Sequence, residues 1–176
     1  LSGEAPIRRE TARLFLALWP SPRLRKALLE HQEAWRWPPR ASLVRPEKLH
    51  LTLHFIGNVP RDRVALFIKE LEVPFLPFTL DFGPPELWHS GVAVLQPKAP
   101  PAGLQRLHDA LGQALQQLEL PVESREFRPH ITLARRASGS LAPTDKPVLH
   151  WPVRSYVLVE SRPEPASRYR LLKRYT

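Results

Sequence analysis

Two short stretches hold the residues best suited to chemistry. "EKLHLTLHFIGNV" runs from Glu47 to Val59 and contains His50-Leu51-Thr52-Leu53. "FRPHITLARR" runs from Phe127 to Arg136 and contains His130-Ile131-Thr132-Leu133. The chain has only 7 His and 6 Thr. Two His-x-Thr-Leu copies then arise by accident on the order of once in a thousand chains or less. On an extended strand the His and the Thr of each copy point to one side, about 7 Å apart. Leu51 or Ile131, and Leu53 or Leu133, point to the other side, into a core. Each copy is thus a polar pair on an apolar anchor. If the pairs face each other, two imidazoles and two hydroxyls surround one cavity. Imidazoles titrate near neutrality, so one serves as a base while the other, protonated, serves as an acid. The hydroxyls donate to oxygens that carry negative charge. A phosphodiester fits this set. The attacking oxygen must lose a proton and the leaving sugar oxygen must gain one, on opposite sides of phosphorus. Either copy alone reads as a structural polar pair; the repetition is what points to chemistry.

Strands must present these pairs. Leu49–Gly57 alternates with a period of two: Leu49, Leu51, Leu53 and Phe55 on one face, His50, Thr52, His54 and Ile56 on the other. His130–Arg135 is the second such strand. Thr11–Leu18 is apolar on both faces, which suits a central strand. Ser21 and Pro22 open a helix as N-cap and first residue, with Leu24, Leu28, His31 and Trp35 at helical spacing, closed by Pro38-Pro39. "RDRVALFIKELE" places Val64, Phe67, Ile68 and Leu71 on one helical face. "PPAGLQRLHDALGQALQQLE" is the clearest helix, with a stripe of Leu104, Leu107, Leu111, Leu115 and Leu118. "PFTLDFG", "GVAVLQP", "RSYVLVES" and "RYRLLKRY" read as further strands, and residues 137–146 as irregular. The stretches after the two motifs differ, so there is no solenoid repeat. The expected fold is α+β: two pseudo-symmetric lobes of mostly antiparallel strands, helices on the outside, and a central cleft. Residues 1–12 read as a flexible leader and 13–176 as one bilobal domain.

Composition narrows the classes. The 176 residues suffice for a core without a metal or disulfide staple. There is no Cys, which removes disulfides, thiolate nucleophiles and Cys-ligated metal. There is no His-Glu-x-x-His and no dense carboxylate cluster, and 7 Gly form no phosphate-cradling loop. No metal and no cofactor are therefore expected. "HQE" at 31–33 echoes part of a zinc deaminase motif, but the cysteines it needs are missing. "LFLALW" is too short to cross a bilayer. A cytoplasmic protein without membrane attachment is expected. The net charge of +9, carried by 20 Arg and 6 Lys, suits a polyanionic partner and forked contacts to phosphate.

The motifs, their order and their spacing resemble those of the 2H phosphoesterase superfamily. More narrowly the chain resembles the LigT-like branch, the RNA 2′,3′-cyclic phosphodiesterases also called 2′-5′ RNA ligases. The likeness starts at "RLFLALWPSP", continues through "VRPEKLHLTLHFIGNV" and "EFRPHITLAR", and ends in "VLVESRPEPASRYRLLKRY". It implies metal-free hydrolysis of a terminal 2′,3′-cyclic phosphate to a 2′-phosphate. By the same likeness, His50 is the proton donor to the leaving 3′ oxygen and His130 the base that activates water. The roles reverse in 2′-5′ ligation. Thr52 and Thr132 would hold the phosphate oxygens, and Arg135, five residues after the second His, would assist. On an ideal strand Arg135 points away from His130, so a bend or the strand end must redirect it. The implied partner is RNA with 2′,3′-cyclic phosphate ends, tRNA fragments among them, met by a monomer.

Other residues carry weaker signals. Phe127, three residues before His130, is a candidate for stacking a base. Arg125, Arg128, Arg135 and Arg136 form either a solvated basic face or a rail for the RNA backbone. His54 is expected beside His50 at the cleft edge, without catalytic duty. Two other functions remain open: an RNA- or nucleotide-binding module without turnover, and a 2H phosphodiesterase acting on small cyclic nucleotides.

Overall fold

The computed structural model describes residues 10–145, 149–163 and 168–176. Most of the expected leader therefore lies outside the described residues. The chain runs β1 (Thr11–Leu18), α1 (Pro22–Glu33), β2 (Ser42–Leu43), β3 (Leu51–Pro60), α2 (Val64–Glu70), β4 (Phe78–Asp81), β5 (Glu86–Leu87), β6 (Ala93–Leu95), α3 (Ala102–Gln117), β7 (Ile131–Arg135), β8 (His150–Val153), β9 (Tyr156–Arg162) and β10 (Arg168–Tyr175). Eight strands form one antiparallel sheet in the order β10-β9-β1-β3-β7-β6-β5, with β2 also paired to β7. β4 and β8 make a separate two-stranded sheet.

The two halves of the large sheet meet at one residue pair. β3 and β7 are joined through Leu51↔Ile131 alone, whereas β1 and β3 pair over eight positions. That seam divides β10-β9-β1-β3 from β7-β6-β5 and gives the fold its two lobes.

All three helices feed one core on one face of the sheet. Leu24 and Leu28 of α1, Phe67 of α2 with Leu71 just after it, and Leu104, Leu107, Leu111 and Leu115 of α3 pack there against Leu14, Leu16, Leu51, Leu53, Ile131 and Leu133. Burial of such side chains is worth roughly 1.5–3 kcal/mol each. Phe15, Ala17, Val157 and Val159 form a small second cluster on the opposite face, with Trp19 and Tyr169 against it. The two-faced apolarity of β1 thus has a cause: β1 is central and its second face lies under aromatic rings.

α1 begins as its sequence dictates, with the Ser21 hydroxyl accepting from the Leu24 amide and Pro22 at the first position. It closes at Glu33, short of Pro38, and Arg36 pairs instead with Leu141. Trp35 and Trp37 stack at 4.7 Å beside this exit. β2, β5 and β8 have no counterpart in the periodic pattern. The first two have only two residues, and β8 contains Pro152, which suits only a marginal strand.

Candidate active site

The Leu51↔Ile131 pair sets the geometry. Both side chains enter the helix-covered core, so the flanking His50, Thr52, His130 and Thr132 project from the opposite, open face. Extending the register by one residue puts His50 opposite Thr132 and Thr52 opposite His130. The two histidines then lie on one diagonal, roughly 7–8 Å apart between Cα atoms. The charge of His130 disfavours protonation of His50, as expected of neighbours.

Both motifs contain the same irregularity. Along β1, Leu16 pairs with His54 and Ala17 with Thr52, so Leu53 is an extra residue in β3. Along β6, Ala93 pairs with Ala134 and Val94 with Thr132, so Leu133 is an extra residue in β7. Each His-x-Thr-Leu therefore carries a β-bulge at its Leu. A bulge reverses the side-chain alternation beyond it.

Two consequences follow for residues singled out in the sequence. Arg135, expected to point away from His130, is returned to the open face by the bulge at Leu133. Its charge disfavours protonation of both His50 and His130. His54, expected beside His50, is turned to the core face instead. It is 4% exposed, pairs through Nε2 with the His108 carbonyl oxygen at 2.7 Å and stacks on the His108 ring at 4.0 Å. Phe55 rather than His54 stands on the open face, at the position in the first motif that Arg135 holds in the second.

The imidazoles are oriented alike. His50 Nδ1 donates to the Lys48 carbonyl oxygen at 2.6 Å, and His130 Nδ1 to that of Arg128 at 2.7 Å. A carbonyl only accepts, so Nδ1 carries the proton in each ring and Nε2 is the acceptor turned to the cleft. Thr52 Oγ1 lies 2.9 Å from His50 Nε2 and donates to it. Burial pushes His50 down to about 4, against the Lys48 hydrogen bond and with help from His130, Arg135 and Arg25. Burial likewise lowers His130, opposed by the Arg128 carbonyl and aided by the charges of Arg128 and Arg135. At pH 7 the His50 ring is neutral, and burial with the charges of Arg128 and Arg135 favours the neutral form of His130.

The surroundings differ. Phe15 (5.0 Å), Trp19 (5.5 Å, stacked) and Tyr169 (5.6 Å, edge-on) enclose His50. His130 meets one aromatic ring, Trp88, at 4.7 Å, and the Arg128 guanidinium sits 4.3 Å over that ring. Arg128 and Trp88 line a recess with Glu86, Leu87, His89 and Ser90. Phe127 stacks on His108 of α3 at 3.9 Å, completing a His54–His108–Phe127 pile behind the sheet. Its ring contact gives no support to the expected base-stacking role. The enclosing rings of Phe15, Trp19 and Tyr169 were not anticipated. Phe15 has one sequence signal, the two-faced apolarity of β1; Trp19 follows that strand and Tyr169 lies on β10.

α1 props both motifs. The Arg25 guanidinium donates to the carbonyl oxygens of Pro46 and Leu49, holding the turn into His50. Gln32 Nε2 donates to the Leu133 and Val44 carbonyl oxygens, both at 2.9 Å, and so clamps the second bulge to β2. The "HQE" triplet is thereby explained: His31 accepts from Trp35 Nε1 at 3.0 Å, and Gln32 holds a bulge.

A bilobal sheet that offers one His-x-Thr pair from each lobe to a shared open face is the arrangement of the 2H phosphoesterases. Residues 20–160 match the 2′-5′ RNA ligase superfamily, and the chain belongs to that family. It is 32% identical to an RNA 2′,3′-cyclic phosphodiesterase of Thermus thermophilus, over 93% of this chain and 89% of that protein. It is also 32% identical to an RNA 2′,3′-cyclic phosphodiesterase of Escherichia coli, over 95% and 94% of the two chains. Among solved structures it resembles E. coli LigT complexed with 3′-AMP, with a TM-score of 0.82 at 29% identity, covering 94% of this chain and 98% of that one.

Proposed function

We propose that the protein hydrolyses 2′,3′-cyclic phosphate ends of RNA to 2′-phosphates by paired-histidine acid–base catalysis. The observation that carries this is the duplicated bulged motif, which offers two Nε2 atoms and two hydroxyls to one open face. The relatives named as RNA 2′,3′-cyclic phosphodiesterases support the choice of substrate.

His130 Nε2 takes a proton from water as the water oxygen attacks phosphorus. The P–O3′ bond breaks, and His50 Nε2–H gives its proton to O3′. The products are a 2′-phosphomonoester and a free 3′ hydroxyl. His50 must first be protonated, and burial opposes that. The negative phosphodiester supplies the missing charge, raising the proton affinity of both rings. Thr52 then turns its hydroxyl from Nε2 to a phosphate oxygen, while Thr132 and Arg135 hold the others. A low intrinsic pKa makes protonated His50 a stronger acid toward the leaving oxygen. The same displacement with an RNA 5′ hydroxyl in place of water yields a 2′-5′ linkage, with His130 again the base and His50 the acid rather than the reversed roles that the likeness implied. Water is abundant and RNA ends are dilute, so hydrolysis dominates. No step recruits a metal, and among the described residues no three His, Asp or Glu side chains cluster as ligands. Among the described residues no helix is long and apolar enough to cross a membrane; action as a cytoplasmic monomer is part of the proposal.

The test is a product assay on nucleoside 2′,3′-cyclic monophosphates and cyclic-ended oligomers in EDTA. The expected product is the 2′-phosphate, with a rate that is bell-shaped in pH. Binding without product would favour a non-catalytic RNA-binding module, and loss of activity on chelation would overturn the metal-free mechanism.

A further inference from the structure

A second concavity borders the cleft. It measures about 800 Å³, within the roughly 300–1,000 Å³ range of ligand clefts. Its walls come from the chain leaving β1, the first turns of α1, β8, the Arg154–Ser155 link to β9 and the end of β10. Arg23, Arg154 and Arg174 line it, and among the described residues no Asp or Glu does. All three side chains are exposed. Arg174 Nη1 donates to Ser155 Oγ at 2.9 Å, which fixes its place on the wall. His150 also lines the groove and is tied to Asp81 at 2.6 Å. Trp151, Leu149, Leu24, Pro20 and Pro22 supply an apolar floor.

Trp19 belongs to both places. It lines this groove and stacks on the His50 ring at 5.5 Å. β1 and β3 pair at Leu18↔Leu51, so the next residues along the register are Trp19 and His50 themselves. The groove is therefore joined to the cleft at Trp19, on the His50 side and not on the His130 side.

That side matters for the substrate. In-line displacement puts the attacking water and the leaving O3′ on opposite sides of phosphorus. O3′ stays on the ribose, so the nucleoside lies with the proton donor, against Trp19. Nucleotides 5′ of the cyclic end extend from that ribose. From this arrangement we infer that the groove of Arg23, Arg154 and Arg174 is a strand-binding subsite. It takes the sugar–phosphate backbone of the nucleotides 5′ of the cyclic phosphate, with a base or sugar against the Trp19 edge and the proline-lined floor. Arg is suited to such contacts through forked hydrogen bonding to phosphate, and stacking tolerates any base. The enzyme then prefers cyclic-ended RNA strands to mononucleotides. This inference rests on the proposed phosphodiesterase function.

The experiment compares kcat/KM on a nucleoside 2′,3′-cyclic monophosphate and on a cyclic-ended tetranucleotide, for the wild type and for Arg23→Ala, Arg154→Ala and Arg174→Ala. The wild type should favour the tetranucleotide at least about tenfold, and each substitution should reduce that ratio about three- to tenfold. The tetranucleotide rate should fall with salt more steeply than the mononucleotide rate. Each lost contact should flatten that dependence by about 0.7 in the log–log slope. Charge reversal by Arg154→Glu, on a surface loop, should reduce the ratio further and guards against an alanine effect too small to read. An unchanged ratio in all four variants would overturn the subsite and leave the phosphodiesterase intact. A wild type that cleaves neither substrate would instead overturn the parent function.

Discussion

The two motifs use one backbone device in two environments. Each has a bulge at its Leu, an imidazole Nδ1 tied to the carbonyl two residues back, and a prop from α1. Beyond that they part. His50 is enclosed by Phe15, Trp19 and Tyr169, with Phe55 at the fifth place after it. His130 has the charges of Arg128 and Arg135 beside it and, among the described residues, one ring, Trp88, whereas His50 feels Arg135 and Arg25 within its aromatic enclosure. The repeated part fixes where the imidazoles point. Under the proposed mechanism the unrepeated part divides the roles: the aromatic side would take the nucleoside and its leaving oxygen, and the Arg128 and Arg135 side the phosphate and water. Positioning is symmetrical, and the proposal assigns the division of chemistry to the neighbours.

The largest test removes the shared feature. His50→Ala and His130→Ala should each reduce kcat about 10²–10⁴-fold with the fold intact by circular dichroism. The double variant should lose little more than the worse single one, because the rings act as a unit. A rate that survives either substitution would break the equivalence of the motifs.

Acid stability separates their environments. The folded-state pKa of His50, about 4, lies below its unfolded value. Its contribution is therefore full above about pH 6.5 and is lost as pH falls toward 4, by roughly 3 kcal/mol. His50→Leu should flatten urea stability between pH 7 and pH 4 by an amount of that order. His130→Leu should flatten it in the same direction by less.

The two fifth-place residues give a direct contrast. Arg135→Ala should reduce kcat/KM about 10–100-fold, as loss of a charge-assisted phosphate contact does. Phe55→Ala should change it less than about threefold. Equal effects would mean that the cationic and aromatic sides are not specialised.

The smallest expected effect lies in the props. Gln32→Leu leaves the Leu133 carbonyl without its side-chain donor, although the Val44 amide still reaches it at 2.9 Å. It should cost about 1–3 kcal/mol by urea denaturation. It should also lower kcat with little change in KM, since the bulge aims Thr132 and Arg135. A stability loss with kcat unchanged would make Gln32 a structural residue alone.

Much of this was legible in the residues. The period-two stretches, the leucine stripe of α3 and the Ser21-Pro22 cap identify their elements, because each local pattern agrees with its tertiary setting. That the two His-x-Thr pairs share one open face was legible for the same reason. The bulges were not. Nothing in "HLTLHF" distinguishes a regular strand from one with an extra residue at Leu53, since that choice depends on the register with β1. Misplacing one residue put His54 on the wrong face and left Arg135 pointing away. The aromatic enclosure of His50 was equally hidden. Tyr169 reaches it from β10, and no local spacing announces a contact more than a hundred residues distant.

The central claim is that His50 and His130 serve one phosphate. Proton NMR titration of the histidine Hε1 signals, with and without a nucleoside 2′-monophosphate, tests it most directly. In the free protein His50 should titrate near 4 and His130 below 6.5. A single equivalent of ligand should raise both pKa values together, while His54 and His108 behind the sheet stay where they were. A rise in only one of the two cleft histidines, or in neither, would contradict the claim.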